Sequence, residues 1–365
     1  MKQYNRRRFL QAAGATVLIA PLHHVSSGAG GHNGRKLNIA LCGLGVYAQI
    51  LADGITASKF CRLSGIVTGT PAKAASWKKK YNIPDSNIYN YSNFDQLAGN
   101  KDIDLVYVVL PNSMHKEYTI RAARAGKHVI TEKPMATNAA DCEAMISACR
   151  EAGVQLGVGY RLHFEPYNME MKRLGQEKVF GQVRLMEISL GYKADDGTGW
   201  RTHRALSGGG PLMNLGVYCV QAARYVSGEE PIAVTAQFNP IVNKEVFAEV
   251  EASITWQLEF PSGAICNSTS TYTAGVDRLF ASAEKGFFEL SPAISYGPFR
   301  GRTSEGTFQF PEINQQAAQL DAMAATILAG KPLPAHISGE EGWKDCRIMD
   351  AIYQAAKSGQ KVYIG

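Results

Sequence analysis

Short, unbroken apolar runs alternate with helix-compatible stretches through the first half of the chain. Residues 37–41, 60–67, 103–110 and 127–130 are such runs. A strand covered on both faces reads as a continuous hydrophobic run and not as an alternation. Helix-compatible sequence follows the first run and also fills residues 116–125. Four apolar strands joined by β–α crossovers predict a doubly wound parallel sheet. From residue 182 to 295 the pattern changes to strand-like runs separated by turns. The runs cover 183–190, 232–238, 247–260, 264–272 and 278–290, and Pro261-Ser262-Gly263 supplies one tight turn. Short loops of this kind predict hairpins and a large, mostly antiparallel open sheet in an α+β domain. Residues 155–164 read as a strand crossing between the domains. Residues 314–329 and 339–358 read as closing helices that pack back toward the first domain. The division is therefore 1–34 as a leader with a short arm, 35–158 as the parallel-sheet domain, and 159–365 as the second domain.

The leader changes what the charge means. Arg6-Arg7-Arg8-Phe9-Leu10 is a twin-arginine pattern, followed by a modest apolar run over 12–22 and small residues over 26–31. The run is too short to span a bilayer. The expectation is export of an already folded protein to the periplasm by the twin-arginine translocase, a transient partner. The formal charge of +6 includes four leader cations, Lys2, Arg6, Arg7 and Arg8, with no acid before Asp53. Subtracting those four leaves +2, too little to argue for nucleic acid or a membrane surface. The 365 residues, 45% hydrophobic and 19% charged, suit a soluble chain with two cores. Its 7 cysteines are scattered without metal spacing or a disulfide framework, so they read as small buried hydrophobes and no metal site is expected.

The candidate chemistry starts at Gly43-Leu44-Gly45-Val46-Tyr47-Ala48, between the first strand and the first helix. Gly43 permits a tight turn, Gly45 lets backbone approach a pyrophosphate, and small Ala48 lets the helix pack on the strand. This is the dinucleotide-binding order of a Rossmann domain, with phosphates over the helix N-terminus. An NAD site places an acid at the end of the second strand. Here Thr68, Gly69, Thr70 and Lys73 stand there instead, groups that suit a 2′-phosphate, so NADP is favoured over NAD. Leu110-Pro111-Asn112-Ser113-Met114-His115, at the carboxyl end of the third apolar run, borders the same crevice.

Glu132-Lys133-Pro134 follows the next strand. With it go Tyr89-Asn90-Tyr91-Ser92-Asn93-Phe94, Ala125-Gly126-Lys127-His128 and Gly159-Tyr160-Arg161 with His163. Further on come Gly208-Gly209-Gly210-Pro211-Leu212-Met213-Asn214 through Tyr218, Gly228-Glu229-Glu230-Pro231, Gln319-Leu320-Asp321 and Gly339-Glu340-Glu341-Gly342. Together these resemble the glucose–fructose oxidoreductase/inositol dehydrogenase/rhizopine-catabolism (Gfo/Idh/MocA) family, and within it the exported glucose–fructose oxidoreductase branch. The resemblance spans nearly all of the chain beyond the leader.

The resemblance implies hydride transfer between a sugar carbon and tightly held NADP. It implies a cis Lys133–Pro134 peptide and proton transfer by Tyr218, with Asn214 beside it. Alcohol and carbonyl differ by a proton as well as a hydride, so such a relay is needed. Lys133 suits the ribose and the substrate oxygen. A lysine beside Tyr218 would lower the phenol's pKa. Asn214 and Tyr218 lie four apart and are expected on one helical face. Asn214 departs from the branch, which carries Asp there, and an amide cannot take a proton. Arg161 and His163 alternate with Tyr160 and Leu162, so both cations are expected to line the sugar cleft. Trp200, Arg201 and Tyr296 complete the candidate set. Such a protein would pair open sheet faces between subunits as a homo-oligomer. Two other classes stay open: an NAD-dependent glycoside hydrolase of the same superfamily, and a catalytically weakened sugar- or nucleotide-binding protein.

Overall fold

A computed structural model of the chain describes residues 34–194 and 199–365. The expected twin-arginine leader therefore lies outside the described residues. The first sheet comprises β1 (Leu37–Cys42), β2 (Cys61–Val67), β3 (Ile88–Tyr89), β4 (Leu105–Val108), β5 (His128–Thr131) and β6 (Leu156–Val158). All pair in parallel, in the order β3-β2-β1-β4-β5-β6. Helices α1 (Val46–Ala57), α2 (Pro71–Tyr81), α3 (His115–Arg124) and α4 (Ala139–Glu151) lie between successive strands. The strand order reverses between β1 and β4, which opens a crevice beyond their carboxyl ends, where ligands bind in such sheets. β4 is buried at every position and β1 at every position but Asn38, as the unbroken apolar runs require.

The second half contains α5 (Pro166–Gln176), β7 (Val183–Gly191), α6 (Arg204–Ser207), α7 (Val217–Ser227), β8 (Ala233–Phe238), β9 (Ser253–Glu259), β10 (Ile265–Thr271), β11 (Val276–Ala283), β12 (Gly286–Leu290), β13 (Gly301–Thr303) and β14 (Gly306–Phe308). Then come α8 (Gln315–Leu328), α9 (Gly339–Ser358) and β15 (Val362–Tyr363). The nine-stranded sheet runs β14-β13-β12-β11-β7-β10-β9-β8-β15. Every pairing is antiparallel except β7 with β10, so the sheet is mixed. Buried positions alternate along β7 and β9, the pattern of a sheet with one face on its helices and one toward solvent.

Four local expectations are corrected. Residues 155–164 are not one strand: β6 ends at Val158, and Arg161–Phe164 form a 3₁₀ turn. The expected strand over 247–260 begins only at Ser253, because Phe247 turns inward and stacks on Tyr272. The run 278–290 is a hairpin that reverses at Glu284 and Lys285. The helix after Gly208-Gly209-Gly210 opens as a π-helical turn, Leu212–Gly216, before α7.

The closing helices return to the first sheet. α8 crosses α1 so closely that a Cβ at Gly54 would lie 2.6 Å from Cβ of Gln316. The Asp321 carboxylate accepts the backbone N–H of Lys59 at 2.9 Å. All seven cysteines are buried and unpaired.

Candidate active site

One cleft of about 1180 Å³ runs from the glycine turn to the nine-stranded sheet. That exceeds the roughly 300–1,000 Å³ of an ordinary small-ligand pocket, and has room for a dinucleotide together with a second molecule. Its first end is backbone. Gly43 has φ of +100°, and a Cβ there would lie 2.7 Å from Val109 O, so both torsion and space demand glycine. A Cβ at Gly45 would meet nothing within 4 Å, because it would project into the cleft. Gly45 caps α1 without any side-chain cap, and no acid stands in the first turn. Gly45, Val46 and Tyr47 at this helix N-terminus line the cleft, the kind of helix end that binds pyrophosphate. Ala48 is buried beneath the turn.

Thr68, Gly69, Thr70 and Lys73 line the cleft past β2, and Lys73 Nζ donates to Leu44 O at 3.0 Å. The amine thus bridges the two loops that a dinucleotide's adenosine end would meet. Leu110, Pro111, Asn112 and His115 border the cleft past β4, and two of them act as braces. Asn112 Nδ2 donates to Ser207 O at 2.9 Å, tying this loop to α6. Both ring nitrogens of buried His115 face carbonyls at 2.9 Å, those of Pro134 and Leu110. Burial pushes the pKa of His115 down.

The chemical end gathers side chains from both sheets. Lys133, before its cis peptide to Pro134, donates from Nζ to Asn214 O at 2.9 Å. The same nitrogen lies 4.4 Å from the centre of the Tyr218 ring. The Arg161 guanidinium carbon is 5.4 Å from that centre and 4.4 Å from the Tyr296 ring. Burial pushes the Tyr218 phenol up, but the Lys133 and Arg161 cations outweigh it and hold its pKa below the ordinary tyrosine value. Glu132 accepts the Tyr107 hydroxyl at 2.7 Å, yet burial pushes its carboxyl up to about 6. Arg201 Nε reaches Asn214 Oδ1 at 3.4 Å, and its guanidinium lies 4.7 Å from the Trp200 ring. An arginine only donates, so the amide oxygen of Asn214 must face it, and Nδ2 is turned toward the Tyr192 and Tyr272 hydroxyls. Tyr296 stands exposed at the rim.

The candidate residues therefore line a single cleft, with two exceptions. Ala48 supports it from below. His163 does not reach it: the 3₁₀ turn sends Arg161 into the cleft and His163 into a buried cluster with Tyr160, Tyr225 and His336. Sequence reasoning missed Tyr91, Tyr192 and Asp277, which also line it. Tyr91 packs 3.0 Å from where a Cβ of Gly69 would be, and the motif around it was visible. Tyr192 and Asp277 lie just past β7 and within β11, where nothing in the sequence marks the end facing the cleft.

A Rossmann crevice that shares its mouth with a lysine–tyrosine pair defines a nucleotide-dependent oxidoreductase. Residues 37–160 match the model of an oxidoreductase family with an NAD-binding Rossmann fold, and 168–289 match the GFO/IDH/MocA C-terminal domain. The chain belongs to the GFO/IDH/MocA oxidoreductase family. An aldose–aldose oxidoreductase from Caulobacter crescentus, crystallised with glycerol, superposes with a TM-score of 0.87 at 43% identity, covering 90% of this chain and 100% of that one. A D-xylose 1-dehydrogenase (NADP(+)) from Haloarcula marismortui is 26% identical over 340 residues, 89% of this chain and 92% of its own. A 1,5-anhydro-D-fructose reductase from Ensifer adhaerens is 28% identical over 285 residues, 74% and 82% of the respective chains.

Proposed function

We propose that the protein is an exported, NADP-dependent sugar oxidoreductase that exchanges a hydride between an aldose carbon and a tightly held nicotinamide. The observation that carries this reading is the Tyr218 phenol, set between Lys133 and Arg161 in the same cleft as the glycine turn. A bound nicotinamide supplies the hydride acceptor in oxidation and the donor in reduction. Tyr218 takes the sugar hydroxyl proton in the first direction and returns it in the second; a phenol of lowered pKa suits both. Lys133 has donors to spare beyond Asn214 O and holds the reacting oxygen. The Asn214 amide orients a neighbouring sugar hydroxyl. The hydroxyls of Thr68 and Thr70, with Lys73, receive the 2′-phosphate.

The NADP and aldose assignments are supported by these residues and by the activities of the relatives. The twin-arginine pattern supports export to the periplasm. The solvent-facing side of the large sheet, where Glu187, Gln257 and Arg278 line an open hollow, supports association between subunits.

The test is spectroscopic. The purified protein should carry nucleotide, and adding an aldose should raise its reduced-nicotinamide absorbance. Tyr218→Phe should retain the nucleotide and lose on the order of 10²–10⁴ in kcat, the usual worth of a general acid–base group. Absence of any spectral change across a panel of aldoses would sink the proposal.

A further inference from the structure

Asp277 is an acid at the cleft to which no role above is given. Its Oδ1 accepts the backbone N–H groups of Ala293 at 2.9 Å and Ile294 at 2.8 Å, and its Oδ2 accepts that of Ser295 at 2.9 Å. Three donors on one carboxylate fix the path of residues 293–295, and charge-assisted bonds of this kind are the stronger ones. Asn168 Nδ2 donates to the carbonyl of Ala293 at 3.0 Å, and the other two carbonyls are taken up by Arg161. Nη2 donates to Ile294 O, and Nη1 donates to Ser295 O at 3.3 Å and to Gln315 Oε1 of α8. Among the described residues no carboxylate pairs with Arg161, which is 2% exposed. Its position is therefore set by neutral acceptors, two of them on the loop that Asp277 holds and one on α8.

We propose that Asp277 is a positioning residue for proton transfer: it clamps residues 293–295 so that the carbonyls of Ile294 and Ser295 hold the Arg161 guanidinium against Tyr218. The proposal rests on Tyr218 as the proton-transfer group. Other groups also face that phenol: Lys133 and Glu132 past β5, Tyr47 of α1, and Tyr296 on the clamped loop. Of the two cations, Arg161 is the one Asp277 reaches.

The test uses the nucleotide-loaded protein and compares Asp277→Asn, Arg161→Lys and the double variant. Asp277→Asn should move the Tyr218 limb of the kcat/KM pH profile upward by about one unit, equivalent to a tenfold change in phenolate population at a given pH. An ultraviolet titration of phenolate absorbance, referenced to Tyr218→Phe, should shift by the same amount. The amount of nucleotide that copurifies with Asp277→Asn should stay unchanged. Arg161→Lys should move the same limb, and the double variant should go no further than Arg161→Lys alone. A lowered melting temperature with limb and phenolate titration unmoved would overturn the proposal, as would additive effects. If Tyr218→Phe turns over normally, the proton-transfer reading fails, and the phenolate titration still decides whether Asp277 acts on Tyr218.

Discussion

Lys73 shows how much one amine can decide. It crosses from α2 to the carbonyl of Leu44 and so sits where the β1 and β2 loops converge. Replacing it with alanine should weaken NADPH binding by on the order of tenfold, the share of one charge-assisted hydrogen bond, and change NADH binding less. Fluorescence titration with the two nucleotides checks this, and equal losses for both would remove the 2′-phosphate assignment. At this scale the sequence was informative wherever chemistry follows from residue type, as for Lys133 at a strand end or the glycines of the turn. It misled where backbone geometry sets direction. Arg161 and His163 share a face only if residues 155–164 are extended, and a 3₁₀ turn parts them. Nothing in the residue types of Leu162 and Phe164 distinguishes the two backbones.

Among elements, the turn between β1 and α1 makes a sharp contrast available. Gly43→Ala would place a Cβ against Val109 O at positive φ, and should destabilise the fold by about 1–3 kcal/mol. Gly45→Val meets open space in the protein. It should melt nearly as the parent does and still fail to bind nucleotide, because its side chain occupies the pyrophosphate path. Thermal melting with and without NADP separates the two, since only a variant that binds gains stability from the ligand. The parallel strands were legible because burial on both faces leaves a period-free apolar run. The edges of the second sheet were not. Residues 247–252 alternate apolar and acidic positions much as a strand does, but Phe247 and Val250 are buried outside any strand. The parallel pairing of β7 with β10 depends on contacts between distant residues, and no local periodicity encodes it.

Across the whole molecule, the junction of the two sheets carries a pH signature. His163 is buried against His336, and its Nε2 lacks a hydrogen-bond partner. Burial, with the His336, Lys172 and Arg224 charges, pushes its pKa well below the usual histidine value. His336, also pushed down by burial, sits in the 3₁₀ turn that leads into α9. In the unfolded chain both rings take up protons near pH 6.5, and in the folded chain they resist. The unfolded state therefore binds more protons below about that pH, and stability falls as pH drops through it. His163→Phe should lessen that loss relative to the parent, measured as melting temperature from pH 7 to 5. Glu132 and Asp345 are both pushed up to about 6 by burial and act in the opposite sense, but they are common to both proteins and drop out of the difference. An unchanged difference would show that the cluster accepts protons without penalty.

The sealed thiols bear on how such a chain reaches its place of work. Both cores close around sulfur that needs no oxidant, so the architecture is finished as soon as the backbone is. Under the export reading, a reducing compartment can complete the protein and load its nucleotide, and an oxidising one receives it with no cross-link left to make.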